Sequence, residues 1–310
     1  MIFVPNYYHH FHCIAQKCKH NCCIGWEIDI DHDTLQYYQS LESEFGARIR
    51  QNITQGESAH FILKEGEKCP FLNQAGLCEI ICTLGEESLC DICNDHPRFR
   101  NFYSNFTEMG LGLCCEEAAK IVLDAKKPFA LVPFEPNSHI PECDETEKDF
   151  FRIRNDAVSL IQNRNLSIGA RFSALSEMFG FKWDDFSLHD LCDLYVSLER
   201  LDEKWGLLLK KLQDFPFDTS YFEHTKLQIP FEQLCCYFIF RHLADALWDD
   251  GYSQRIKFCL SGCYIIGALC SLHLHQHGCI GVGDIAEYAR MYSAEVEYSD
   301  ENINLLLENR

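Results

Sequence analysis

The sequence predicts an α+β fold, mainly α: an irregular cysteine-rich N-terminal domain with short strands, then a helical C-terminal domain. Three observations predict it. Eleven of the 19 cysteines precede Asp124. Four of the nine prolines fall at 128, 133, 136 and 141. Beyond them, apolar residues recur every three or four positions, which is helical periodicity. The expected domains are 1–125 and 149–310, joined by a proline-rich linker over 126–148, where proline blocks both regular helix and central strand.

Before the linker, Trp26, Ile28 and Ile30 alternate with Glu27, Asp29 and Asp31 in "GWEIDID", which predicts a strand. "DHDTLQYYQSL" reads as a helix with an Asp or Thr cap. "CPFLNQAGLCEI" reads as two short strands, or a strand and a turn, around Asn73–Gly76. "LCCEEAAKIVLD" begins a helix with Glu116 and Glu117 in its first turn, where the helix dipole favours acids. After the linker, "FFRIRNDAVSLIQNR", "LHDLCDLYVSLERLDEKWGLLLKKL", "PFEQLCCYFIFRHLADALWD" and "RIKFCLSGCYIIGALCSLHL" each predict a helix. Ser187 with Asp190 suits a capping box, and Pro230 suits a first turn. "YSDENINLLLEN" predicts a last short helix. "GCIGVG" reads as a loop, since no strand precedes it to make a nucleotide-binding fingerprint.

The chain has 310 residues and a net charge of -20. That length buries a real core without crosslinks, and that charge argues against nucleic-acid binding. The opening "MIFVPNYYHHFHC" lacks the basic and apolar regions of a signal peptide. A reducing cytoplasm is expected, where clustered cysteines bind metal or do redox chemistry. The apolar run Phe258–Leu274 is short for a membrane span and reads as a buried helix, so no transmembrane segment is expected; peripheral membrane contact stays open.

"CIAQKCKHNCC" carries Cys13, Cys18, Cys22 and Cys23 within eleven residues. Cys69, Cys78, Cys82, Cys90, Cys93, Cys114 and Cys115 follow. Thiolates are soft ligands that select zinc or iron–sulfur clusters, usually four to a site. The spacing is neither CxxC…CxxC nor CxxxCxxC, because Gly25 stands where the latter needs its third cysteine. Cys192, Cys235, Cys236, Cys259, Cys263, Cys270 and Cys279 read instead as small buried hydrophobes. The His-rich runs "YYHHFH" and "HLHQH" offer opportunistic metal binding only. His20 and His96 sit among the clustered cysteines, where each could ligate or hydrogen-bond a sulfur.

"F-x-C" at 11–13, "C…CC-x-GW-x-I-x-I" at 18–30, "CPFL…GLC-x-I" at 69–80, "C-x2-HPR" at 93–98 and "CEEAA" at 115–119 resemble the flagellin lysine-N-methylases. They are also similar to a broader cysteine-rich group of zinc- or iron-chelating domains. "YFIFRHL" and "YSAEVEYSDENINLLLE" resemble the closing motifs of the methylase branch. The resemblance implies a metal-ligand set matching Cys13, Cys18, Cys22, Cys23, Cys69, Cys78, Cys93 and Cys115. It leaves Cys82, Cys90 and Cys114 outside the pattern. It implies an iron–sulfur cluster of the 4Fe-4S type, S-adenosylmethionine as methyl donor, and flagellin as the protein partner; zinc is the alternative metal. The first cysteine gaps are wider than in the broader group, and His96 replaces a frequent tyrosine. Arg98, Arg241, Glu295 and Glu297 are candidates for contact with the donor or the target lysine, with ordinary ion pairing as the plainer reading. No catalytic base is assigned. A non-catalytic zinc- or iron-chelating protein is the competing reading.

Overall fold

The computed structural model describes residues 1–54, 58–135 and 143–308. The chain divides into two units, one of His12–Arg98 and one of Met1–Phe11 with Phe99–Arg310. The thiol-rich unit is therefore an insertion in the chain of the larger one.

In the smaller unit, Asp31 caps α1 (His32–Ser40), its carboxylate accepting from Thr34 N at 2.9 Å. Ser43 caps α2 (Glu44–Gln51) in the same way. Short helices α3 (Glu79–Leu84) and α4 (Asp91–Asp95) follow. The other Asp31 oxygen accepts from Asp91 N at 2.9 Å, so one carboxylate ties the start of α1 to the start of α4. Ile28, Ile30, Tyr38, Ile49, Phe61, Phe71 and Ile80 form this unit's core.

The strand expected over "GWEIDID" is only partly realised. Ile28 and Ile30 are buried and Asp29 is exposed, as the alternation requires. Pairing is confined to isolated bridges, Asp29 with His60 and Ile24 with Lys68, so no ladder forms. The turn at Asn73–Gly76 is present. Asn73 Oδ1 accepts from Ala75 N and Leu77 N, and Gly76 adopts φ +76°, a conformation glycine takes at no steric cost.

The larger unit holds a four-stranded sheet of β1 (Ile2–Pro5), β2 (Arg98–Phe102), β3 (Thr107–Leu111) and β4 (Leu131–Pro133). Their order is β2-β3-β1-β4. β1 runs parallel to β3, with Ile2 opposite Thr107, and antiparallel to β4, with Val4 opposite Val132. Pro133 therefore lies on an edge strand, where a missing N–H is tolerated.

The helices are α5 (Glu116–Asp124), α6 (Glu145–Ile161), α7 (Ile168–Met178), α8 (Leu188–Ser197), α9 (Glu203–Gln213), α10 (Gln228–His242), α11 (Ala246–Asp249), α12 (Tyr252–His277), α13 (Val282–Tyr292) and α14 (Asp300–Glu308). A π-helical turn, Ser293–Glu297, lies between the last two. The expected class, α+β and mainly α, is what the chain adopts. Helix α12 is long and apolar enough to cross a membrane, but 83% of its apolar window is buried inside the fold. Together with α10 it forms the centre of the core. Gly278, at φ +73°, ends α12, and Asp284 accepts from Gly281 N at 2.8 Å to start α13. "GCIGVG" is thus a helix-to-helix connection whose last two residues are already helical.

Three expectations need correction. The long helix over "LHDLCDLYVSLERLDEKWGLLLKKL" is two helices, α8 and α9. Glu295 accepts from the backbone N–H of Leu201 and Asp202 at 2.9 and 2.8 Å. Asn302 bonds both N–H and C=O of Glu199. These remote side chains satisfy the backbone that a continuous helix would have used. Cys279 is exposed, whereas Cys192, Cys235, Cys236, Cys259, Cys263 and Cys270 are buried. The units also run differently from the expected domains, since α5 packs on α10 and α13. Of the expected 126–148 linker, residues 136–142 lie outside the described residues, 131–133 form β4, and α6 begins at Glu145.

Gly267 on α12 gives room to the Phe222 ring; a Cβ there would lie 2.3 Å from Phe222 Cζ. Gly267→Ala should therefore destabilise the fold by about 1–3 kcal/mol through overpacking. Urea denaturation checks this, and an unchanged midpoint would mean the ring moves aside freely.

Candidate metal centre

The smaller unit gathers most of its thiols against one apolar core. Cys69 and Cys90 are buried in it, and Cys23, Cys78 and Cys93 pack on it. Local backbone structure places them. Cys69 N donates to Cys23 O at 2.8 Å, joining the first cysteine loop to the "CPFL" segment. Leu72 bridges Cys78 across the Asn73 turn. Cys90 stands at the N-cap position of α4, and Cys93 lies on its first turn.

The sulfurs perturb one another. The hydrogen bond from Cys23 pulls Cys22 down from 9.0 to about 7, against burial. That same bond, then burial, then the charges of Cys22, Cys69 and Cys78 push Cys23 up. Cys90 and Cys93 form a second such pair. Its hydrogen bond lowers Cys90 and raises Cys93, which also feels Cys23 and Cys69. Burial pushes Cys69 up to about 11, with Cys78 and Cys90 adding to it. Each of these thiols is perturbed by at least one other, and the exposed Cys82 adds its charge to Cys78, so deprotonating one opposes deprotonating the next. A cation among them removes that opposition, because metal binding selects thiolate. The donor set fits a soft metal.

Five of the eight expected ligands, Cys22, Cys23, Cys69, Cys78 and Cys93, are in this group. Cys13 and Cys18 lie on the preceding loop. Cys13 Sγ accepts from Ala15 N at 3.4 Å, and Cys18 donates to His20 O at 3.2 Å. Cys115 belongs to the larger unit, at the N-cap of α5. Cys90 is the member the motif comparison missed. Its signal was present, since Cys90 and Cys93 make a plain CxxC. His96 lies beside Trp26, ring centroids 6.0 Å apart. Burial, helped by the Arg98 charge, holds its imidazole down at about 4. At neutral pH it is uncharged, as a ligand or acceptor must be.

Of the other candidates, Arg98 follows the cis His96–Pro97 bond and donates to Asn94 O at 3.0 Å. Arg241 and Glu297 come together inside the larger unit. Glu297 accepts from Tyr237 OH at 2.9 Å and pairs with His242 Nε2 at 2.5 Å. Arg241 Nε lies 3.5 Å from Glu297, and Arg241 donates to Tyr237 OH at 2.8 Å. Its guanidinium stands over the rings of Phe99 and Tyr298 at 5.0 and 4.9 Å. Burial would raise the Glu297 carboxyl, but Arg241 and then His242 outweigh it and hold it down at about 2. So low a value makes Glu297 a poor general base. Glu295 holds the α8–α9 connection, as described above. Neighbouring Cys114 is pushed up to about 12 by burial.

Two curated proteins called lysine-N-methylase, from Salmonella choleraesuis and Salmonella typhimurium, are each 27% identical to this chain over 70% of its length. The chain spans 57% of the length of each. A protein called flagellar biosynthetic protein FliU, from Salmonella muenchen, is 28% identical over 41% of the chain and 79% of its own length. No family model and no solved structure matches the chain. The resemblance to lysine-N-methylases read from the motifs is thus borne out by relatives spread over most of the chain.

Proposed function

We propose that this chain is a protein-lysine N-methyltransferase that uses S-adenosylmethionine, carries an iron–sulfur centre, works in the cytoplasm and takes flagellin as its acceptor. The observation that carries the proposal is the similarity to two lysine-N-methylases over 70% of the chain. The thiol group supports the metal part. Cys22, Cys23, Cys69, Cys78, Cys90 and Cys93 would hold the centre, with Cys13, Cys18 and Cys115 as further expected ligands. Such a centre, when bound, supplies a redox-active, Lewis-acidic iron.

The acceptor lysine must lose its proton to become a nucleophile, since its ordinary pKa is about 10.4. S-adenosylmethionine, when bound, would supply an electrophilic sulfonium methyl group to that amine. The Arg241–Glu297–Tyr237–His242 network suits positioning better than proton transfer. Its carboxylate is already ionised and fully enclosed. In this proposal Glu297 orients Arg241, and Arg241 or Arg98 pairs with the donor's carboxylate.

Anaerobic purification with iron, sulfide and zinc analysis tests the metal, and labelled-methyl transfer to flagellin tests the reaction. Matched iron and sulfide with methylated flagellin are expected. Stoichiometric zinc, no colour and no transfer would overturn the proposal in favour of a non-catalytic chelating protein.

A further inference from the structure

Glu27 and Asp29 are two residues apart on an extended segment, so their side chains leave the same face. Asp29 is bridged antiparallel to His60. Ile30 N donates to Ala59 O at 2.8 Å, and Phe61 N donates to Ile28 O at 3.1 Å. Directly opposed residues project to the same side of such a pair. His60 therefore joins the two carboxylates on the outer face, while Ile28, Ile30 and Phe61 fill the core behind it. His60 Nε2 lies 3.3 Å from Glu27 Oε2. Among the described residues, this is the one trio of potential ligand atoms from His, Cys, Asp or Glu lying within 4.8 Å of one another.

The backbone beneath is fixed. Thr54 Oγ1 accepts from His60 N at 3.1 Å, and Thr54 N donates to His60 O at 3.0 Å. His60 Nδ1 is enclosed and has no hydrogen-bond partner. The ring thus offers its outer nitrogen to the carboxylates. On so acidic a chain, paired carboxylates alone would mean little. An imidazole held against them by strand pairing makes a mixed nitrogen–oxygen donor set. Ligand atoms sit about 2.0–2.2 Å from a divalent first-row metal, and the exposed Glu27 side chain can swing in to close the shell.

We propose that Glu27, Asp29 and His60 form a second metal site, for a divalent first-row cation of the manganese, iron(II) or zinc class. Its oxygen-rich donors favour harder ions than the thiols do. Three protein ligands on an outer face leave coordination positions for water or for a ligand carboxylate or phosphate. The site joins two segments distant in sequence, so occupancy stabilises the native pairing by mass action. It rests on no part of the methylation proposal.

The test is manganese(II) titration of the protein as purified, following free aquo-manganese by electron paramagnetic resonance. Manganese is used because thiolates compete for it poorly. One saturable equivalent is expected, displaced by zinc. Glu27→Gln and His60→Gln should each weaken binding about tenfold or more, and Glu42→Gln, an exposed acid elsewhere in the unit, should leave it unchanged. No saturable binding below about 1 mM, a free energy of about -4 kcal/mol, would overturn the site. So would binding that Glu27→Gln leaves intact. Glu27 is 61% exposed, so that variant decides the matter even if His60→Gln does not fold.

Discussion

Glu297→Leu should cost about 3–5 kcal/mol of stability, because it strands the Arg241 guanidinium in a closed interior without its counter-charge and leaves His242, whose imidazole burial holds neutral, without its hydrogen-bond partner. Equilibrium urea denaturation at neutral pH measures it. Arg152→Ala, which breaks a surface pair with Asp149, should give no measurable change. The same carboxylate predicts an acid dependence. Its folded value, about 2, lies below the ordinary 4.5. Its contribution is therefore complete above about 4.5 and is lost as pH falls toward 2. Glu297→Gln should flatten stability against pH across that window. A variant as acid-sensitive as the native chain would assign the acid transition to other carboxylates.

Cys93→Ser and Cys69→Ser should each abolish most bound iron in anaerobically purified protein, if the thiol group holds the centre as proposed. Cys90→Ser should do the same, although the motif comparison leaves Cys90 out. Cys82 is exposed, and Cys82→Ser should retain full iron. Iron and sulfide content and the visible spectrum are the readouts. Cys90→Ser with native iron would return Cys90 to the role of a neighbour. Iron loss in Cys82→Ser would show that any thiol change disturbs the loops.

Much of this architecture could be read from local sequence. Asp31 and Ser187 cap where side-chain chemistry says they should. The buried helices α10 and α12 announce themselves by apolar density. What escaped was set by distant residues. Leu198–Asp202 reads as helix and is broken by Glu295 and Asn302, nearly a hundred positions away. The β1–β3 pairing joins residues 2 and 107, a partnership no local period encodes. At the thiol site, the motif pointed to Cys22, Cys23, Cys69, Cys78 and Cys93, which perturb one another, and left out Cys90, which pairs with Cys93. Cys90 falls outside the family spacing, although with Cys93 it makes a CxxC pair. The Glu27–Asp29–His60 trio was invisible for a related reason. Alternation shows which face a residue takes, but not which residue stands opposite.

The interruption of the larger unit by residues 12–98 sets an order of assembly. β1 precedes its partners β3 and β4 by more than a hundred residues. The segment His12–Arg98, by contrast, is contiguous and has all emerged once Arg98 is made. At typical synthesis rates residues 99–310 take roughly 10–40 s to follow. During that interval β1 has been made but has neither of its strand partners. If these thiols hold metal as proposed, loading can begin before the helical unit exists.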